Sequence, residues 1–288
     1  MDHVLLKGGY VVDFAGHRAV RKDVLIEGGL IAWTGLMQGR PPSGTDVIPI
    51  KDMIVIPGLI DAHIHVESTL LAPLEFARAA ILRGTTAVLA DPHEIANVFG
   101  LKGVRFFLEQ AARSPIDMLI GIPSCVPATA LEHGGASISV ADVASLLAHP
   151  LVFGLAEMMD YPGILSGRGP AREKVDIAFR SGKLIDGHCP GLRGEDLRRY
   201  ISNGAGDGTV RIMTDHETPD PAEAVEKIDL GMRLALRYGS AEKDLDAILP
   251  GIASSETRLG RCMLCSDDLS PVELLESGHV DRIVRRAR

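Results

Sequence analysis

The stretch VIPGLIDAHIHVE, residues 55–67, is an apolar run that ends in two histidines one residue apart and then an acid. Such a run reads as a buried strand whose last residues reach its mouth. Side chains alternate along a strand, so His63 and His65 face the same way, about 6–7 Å apart at their Cβ atoms, a spacing suited to paired metal ligands. Two histidines on one strand are by themselves more often a surface pair, so the other strand ends decide the matter.

The chain has 288 residues, enough for one large domain with a small appendage or for two domains. A hydrophobic content of 46% excludes general disorder. A formal charge of −8 argues against a nucleic-acid backbone or an anionic membrane as the main partner and favours a small molecule. The N-terminal MDHVLLKGGY lacks the basic start and apolar core of a signal peptide, and no segment approaches the roughly 18 apolar residues of a membrane span. The cysteines, Cys125, Cys189, Cys262 and Cys265, make no disulfide framework at this length. A soluble cytoplasmic protein with reduced thiols is expected.

Residues 1–56 read as short strands joined by glycine turns, VLLKGGYVVD and DVLIEGGLIAWTG, resembling half of a small β-sandwich. From residue 54, short apolar strands alternate with helical segments, the pattern of βαβ units and a parallel sheet. Candidate strands cover 53–63, 84–91, 117–124, 151–157, 183–188, 209–216, 232–240 and 261–268. Between them lie helical segments such as PLEFARAAILR, REKVDIAFRS and PAEAVEKIDLG. Eight strands predict an α/β fold, a (β/α)8 TIM-like barrel over 57–288, whose chemistry sits at the strand C-termini.

Strand one ends in His63 and His65, strand four in Glu157, strand five in His188, strand six in His216 and strand eight in Asp267 and Asp268. Chance would scatter these residues over helices and loops. Four imidazoles and two carboxylates suit zinc, iron or manganese, and six ligands exceed one tetrahedral site. Two metals sharing a bridging carboxylate use them all, and Glu157 is placed to bridge. Such a pair lowers the pKa of water toward neutrality, and Asp267 is best placed to carry a proton to a leaving group. That is hydrolytic chemistry.

These residues resemble the amidohydrolase superfamily, whose members carry an H-x-H on barrel strand one, histidines on strands five and six, an aspartate on strand eight and a small β-sandwich beside the barrel. Within it, PGLIDAHIHVEST, ADPHEIANV, SCVPAT, GLAEMMDYPG, DGHCPGL, TDHET, RYGSAEKDL, CSDD and GHVDRIV look like the adenine deaminases of bacterial type, over almost the whole chain. The resemblance implies hydrolytic deamination of adenine to hypoxanthine and ammonia by a metal-activated hydroxide, a step of purine salvage. It implies a binuclear manganese, iron or zinc centre, with His63, His65, Glu157, His188, His216 and Asp267 as ligands. A separate member of the superfamily, a cyclic amidase or aminoimidazole hydrolase, is the near alternative, because metal ligands alone do not select the substrate.

Asp91-Pro92-His93-Glu94, read as a loop after strand two, adds two acids and a histidine to the same rim. Deamination needs protons delivered to a ring nitrogen and to departing ammonia, a role open to Asp91 or Glu94, with His93 beside the substrate. The competing reading has Asp91 capping the next helix and Glu94 as a solvated first-turn acid. Ser124 and Cys125 fall where a substrate pocket wall is expected, although Cys125 equally suits a buried apolar position. Asp268 binds substrate or caps a helix. The zinc nucleobase-deaminase signature, H-x-E followed by P-C-x-x-C, fails because Arg261 replaces the proline before Cys262-Met263-Leu264-Cys265.

Adenine deaminases of this type run far beyond residue 288, completing the sandwich and adding a C-terminal domain. The resemblance therefore includes a catalytically impaired fragment with a cut last helix, or half of a split enzyme with a separate C-terminal chain as partner. A half sandwich leaves apolar faces and strand edges uncovered, so a homo-oligomer is expected.

Overall fold

A computed structural model describes residues 3–129 and 131–288. They fall into two compact units, Met1–Gly58 and Leu59–Arg288. The single strand expected over 53–63 is two strands, Ile54–Val55 in the first unit and Leu59–His65 in the second. Pro57 stands between them and has no N–H for a ladder bond.

The first unit contains two small sheets. One orders Leu30–Gly35, Asp23–Glu27, His3–Lys7 and Asp46–Pro49; the other orders Arg18–Arg21, Tyr10–Asp13 and Ile54–Val55. Gly28 and Gly29, both at positive φ, make the two-residue turn between Glu27 and Leu30, where a side chain would be strained. Leu5, Val24, Leu25 and Ile50 are buried within the unit. The Asp23 carboxylate accepts from Gly8 N (2.8 Å) and Met37 N (2.9 Å), joining two loops.

The second unit is the barrel. Leu59–His65 pairs in parallel with Thr85–Ala90, that strand with Asp117–Ile122, and that in turn with Val152–Met158 and then Leu184–Gly187. Met213 N donates to Ile185 O (2.9 Å) and carries the circuit to Thr214–Asp215, then Arg233–Arg237 and Cys262–Cys265. Asp267–Asp268 closes it by pairing with Ile64 and His65 of strand one. Strand eight is thus broken at Ser266, with Asp267 at φ 56°. Among the described residues no helix is long and apolar enough to cross a membrane.

Strand six is shorter than the apolar run 209–216 suggests. Arg211 N and Ile212 N donate to Ile201 O, so this segment docks under the helix Gly194–Ile201 instead of joining the ladder. The segment 91–94, read as a loop, enters a helix at His93, His93–Phe99, so His93 and Glu94 sit on its first turn, where the competing reading put Glu94. The helices bury their apolar stripes against the strands: Phe76 from Pro73–Ile81, Val175 from Ala171–Arg180 and Leu197 from Gly194–Ile201 are fully enclosed. Each such side chain contributes about 1.5–3 kcal/mol relative to exposure.

Gly154 lies where the backbone of a neighbouring strand leaves no room for a side chain. A Cβ there would lie 1.8 Å from the Leu184 carbonyl oxygen, a backbone atom that cannot rotate away. Gly154→Ala is expected to cost at least about 3 kcal/mol, the upper end of overpacking penalties. The check is a lowered urea midpoint at unchanged slope; a midpoint equal to the parent's would show that the two strands have slack.

Candidate active site

The parallel register sends the ends of strands one, four, five, six and eight to one mouth, and their polar residues meet there. His63 and His65 approach to 3.1 Å between Nε2 atoms. Asp267 Oδ1 lies 3.5 Å from His63 Nε2 and 3.3 Å from His65 Nε2. Glu157, 3% exposed, turns one oxygen to His65 Nε2 (3.4 Å) and His93 Nδ1 (3.1 Å). Its other oxygen faces His216 Nε2 (3.3 Å) and accepts from His188 Nδ1. The donor atoms fall into overlapping groups within 4.8 Å: His63, His65 and Asp267; His63, Glu157 and His216; His65, Asp91, His93 and Glu157.

Electrostatics matches this crowding. Burial would push the His65 pKa down, but Asp267, Glu157, Glu94 and Asp91 hold it up at about 10. His93 reaches about 12 against burial, through Asp91, Glu157 and Glu94. His216, opposed by burial, is raised well above the usual imidazole range by Asp186 and Glu157. The partners respond in the other direction: despite burial, Glu157 is held far below the carboxylate range by His188, His216 and His93, and Asp267 by the surrounding histidines. The mouth is a nest of carboxylates that calls for cationic charge.

A divalent cation fits this donor set on a structural observation. His216 is buried with Nε2 3.3 Å from Glu157 and Nδ1 3.6 Å from Asp186, close to two carboxylates but without a well-formed hydrogen bond to either among the described residues. An imidazole so placed is better satisfied when a cation takes one nitrogen. His63 is already aligned for ligation, since its Nδ1 donates to Asp186 Oδ2 (2.8 Å) and leaves Nε2 facing the cluster. His65 does the same with Asp91 O (3.0 Å). This is how a second carboxylate or carbonyl fixes the tautomer and direction of a metal-binding imidazole.

A cavity of about 290 Å³ opens on the cluster, and His93, Glu94 and Asp268 line it. Asp91 does not; its carboxylate lies behind His93 Nδ1 at 3.4 Å. Ser124 and Cys125 also differ from expectation, for they line a separate cavity of about 580 Å³. The Ser124 hydroxyl is taken by the Glu157 carbonyl, and the Cys125 sulfur packs 3.7 Å from that of Met158. Burial pushes the Cys125 thiol pKa up, which suits an apolar filler. Asp268 accepts from Ser68.

Sequence reasoning missed several residues here. Asp186 stands two residues before His188, so strand alternation alone puts both on one face. Glu217, next to His216, receives Arg237 from strand seven, and Arg237 Nη1 also donates to Asp267 Oδ2 (3.0 Å). The charged residue closing RLALR was the available signal. Asp61, fully buried, accepts from Ser266 N (3.0 Å) and Ser266 Oγ (2.6 Å) and lies 2.8 Å from His279 Nε2, fixing the kink that precedes Asp267.

Comparison with known proteins accords with this architecture. The description Amidohydrolase family matches residues 54–268. The chain belongs to the amidohydrolase family. Membership implies divalent metal binding, and the clustered His, Asp and Glu donors of this amidohydrolase could hold it. The adenine deaminase of Desulfatibacillum aliphaticivorans is 40% identical over 284 residues, 99% of this chain and 48% of that protein. That of Cereibacter sphaeroides strain KD131 is 43% identical over 285 residues, with the same shares. The chain spans about half the length of the curated relatives it matches. Among solved structures, N-isopropylammelide isopropylaminohydrolase from Burkholderia multivorans shares the fold at a TM-score of 0.63 and 19% identity, covering 99% of this chain and 79% of that one.

Replacing Asp61 tests whether the kink is held from behind. Asp61→Ala strands the donors of Ser266 and His279 in the interior and is expected to lower stability by about 2–5 kcal/mol in chemical unfolding. Asp61→Asn, which keeps an acceptor, should recover part of that loss. A change below about 0.5 kcal/mol for the alanine variant would remove Asp61 from this role.

Proposed function

We propose that this chain carries the metal centre and the substrate-facing acids of an adenine deaminase. The observation that carries the reading is Glu157, with one oxygen turned to each pair of histidines, the arrangement expected of a carboxylate shared by two cations. The substrate class is taken from the relatives named adenine deaminase at 40–43% identity along 99% of the chain. His63, His65, Glu157, His188, His216 and Asp267 would hold two divalent cations. Imidazole and carboxylate donors without thiolate admit manganese, iron or zinc, and the resemblance to adenine deaminases favours manganese or iron. Such cations, when bound, supply Lewis acidity and make water a nucleophile near neutral pH.

The protein's own groups then manage the protons. Water adds to the carbon bearing the amino group, forming the C–O bond; Asp267 accepts a proton from it and passes that proton to the amine as the C–N bond breaks. Glu94, at the cavity wall, delivers a proton to the ring nitrogen beside that carbon and takes up the proton of the added hydroxyl as the carbonyl forms. Asp91 holds His93 and His65 in place instead of touching substrate. His93 and Asp268 border the purine, and Arg237 keeps the Asp267 carboxylate aimed. Hypoxanthine and ammonia leave.

The test is adenine-dependent ammonia release with manganese content measured in the same sample. The unaltered chain is expected to hold up to two ions and His63→Ala and His188→Ala fewer, while Asp267→Asn, even when its metal content is restored to the parent's, is expected to lose at least about 100-fold in rate. A chain without metal after growth in manganese would overturn the reading. Ammonia release only after addition of a chain equivalent to the other half of the relatives would place this protein as one part of a two-chain enzyme.

Metal binding also has a definite pH sign. With pKa values of about 10 and 12, His65 and His93 are protonated near pH 7.5 in the metal-free protein. Their ion pairs stabilise that form fully below about pH 6.5, the unfolded value, and the His65 contribution is lost as pH rises through about 10. A cation at His65 must displace its proton, so Mn2+ affinity should rise from pH 6 to 9 and binding should release protons. Calorimetry in buffers of different ionisation enthalpy reads that release; heats independent of buffer would contradict it.

A further inference from the structure

Behind the histidines of strands five and six lies a buried charge cluster that the reaction does not use. Asp220 caps the helix Pro221–Asp229, accepting from Ala222 N (2.8 Å) and Glu223 N (3.1 Å), and so sets which face turns inward. Glu223 and Lys227, four residues apart on that face, are 1% and 0% exposed. Lys227 Nζ donates to Glu223 Oε1 (2.6 Å), Asp215 Oδ2 (2.7 Å), Cys189 O (3.0 Å) and Thr218 Oγ1 (3.1 Å). Asp215 Oδ1 accepts from Cys189 N (3.0 Å), and Glu223 Oε1 from Gly191 N (3.0 Å).

Two of these residues adjoin the metal-facing histidines. Cys189 follows His188, and Asp215 precedes His216. One ammonium therefore binds the backbone just after one histidine and the side chain just before the other. We infer that Lys227, with Glu223, is a positioning residue that sets the separation of His188 and His216 by clasping the two strand ends from behind. An inference of this kind rests on the reading of both histidines as metal ligands.

Helix attachment alone does not explain the cluster. Apolar residues of similar volume would fasten the helix to the barrel at no greater cost, because a buried ion pair roughly breaks even against good packing. What directional bonds add is a fixed distance between two backbone segments. His188 N is held independently by the Tyr200 hydroxyl (3.0 Å), so the clasp and Tyr200 together fix that residue. The His188 and His216 rings then stand 5.8 Å apart at 78°, both facing Glu157.

The test measures Mn2+ affinity per folded molecule by chelator competition, beside the thermal midpoint of the metal-free protein. Lys227→Met and the milder Glu223→Gln are compared with Val175→Ala, a buried change on the helix Ala171–Arg180 that removes none of the cluster's hydrogen bonds. The clasp predicts affinity 10- to 100-fold weaker for Lys227→Met and a smaller loss for Glu223→Gln, with Val175→Ala lowering the midpoint and leaving affinity unchanged. If Lys227→Met does not fold, Glu223→Gln decides. Affinity equal to the parent's, or reduced only as far as in Val175→Ala, overturns the inference while the metal reading stands. An unaltered chain that binds no Mn2+ overturns both.

Discussion

Glu157 sets the condition that the rest of the mouth obeys. A carboxylate 3% exposed has almost no water to solvate it, so both oxygens must find donors or cations within the protein. Its four imidazole neighbours come from strand one, the helix after strand two, strand five and strand six. They reach one point only because all the barrel strands run the same way and finish at one rim. A register slip of one residue in strand one would turn His63 and His65 to the other face. Barrel closure and site assembly are thus one constraint.

Satisfying Glu157 moves the problem outward by one layer. Several groups at this mouth have a buried partner behind them: Asp186 for His63, the Asp91 carbonyl for His65, the Asp91 carboxylate for His93 and the Tyr200 hydroxyl for the His188 backbone. Asp267 is held by Arg237 in front and by the Asp61–Ser266 bonds just upstream. Buried polar networks of this kind add little net stability, since desolvation offsets most of the attraction. Their return is direction: each bond removes a rotation that an apolar neighbour would leave free.

The barrel was legible in the sequence because its two periods are strong, short apolar strands alternating with amphipathic helices. The rim residues followed from strand ends alone, and His63, His65, Glu157, His188, His216 and Asp267 do meet. What escaped had weaker signatures. Strand six is two residues long because Arg211 and Ile212 bond to a helix carbonyl, a tertiary choice that no local pattern encodes. Ser124 and Cys125 follow strand three as expected, yet the Ser124 hydroxyl is taken by the neighbouring strand's backbone and faces a different cavity. Arg237 and Lys227 were hidden because a charge in an apolar strand or on a helix reads as a solvated face until its partners are known.

The two kinds of burial also separate fold from site. The apolar core runs from Ile64 and Phe76 through Ile120 and Leu155 to Tyr200, between strands and helices, and none of these side chains depends on a cation for its packing. Small metal-nucleated domains fold only when their ion is present because they have no such core. Here the carboxylates at the mouth can be neutralised by imidazolium when no metal is bound and by metal when it is. Protons and cations would therefore compete for the same few positions at the mouth, above an apolar core whose contacts involve neither. The charge of the mouth and the packing of the barrel wall thus rest on separate sets of residues.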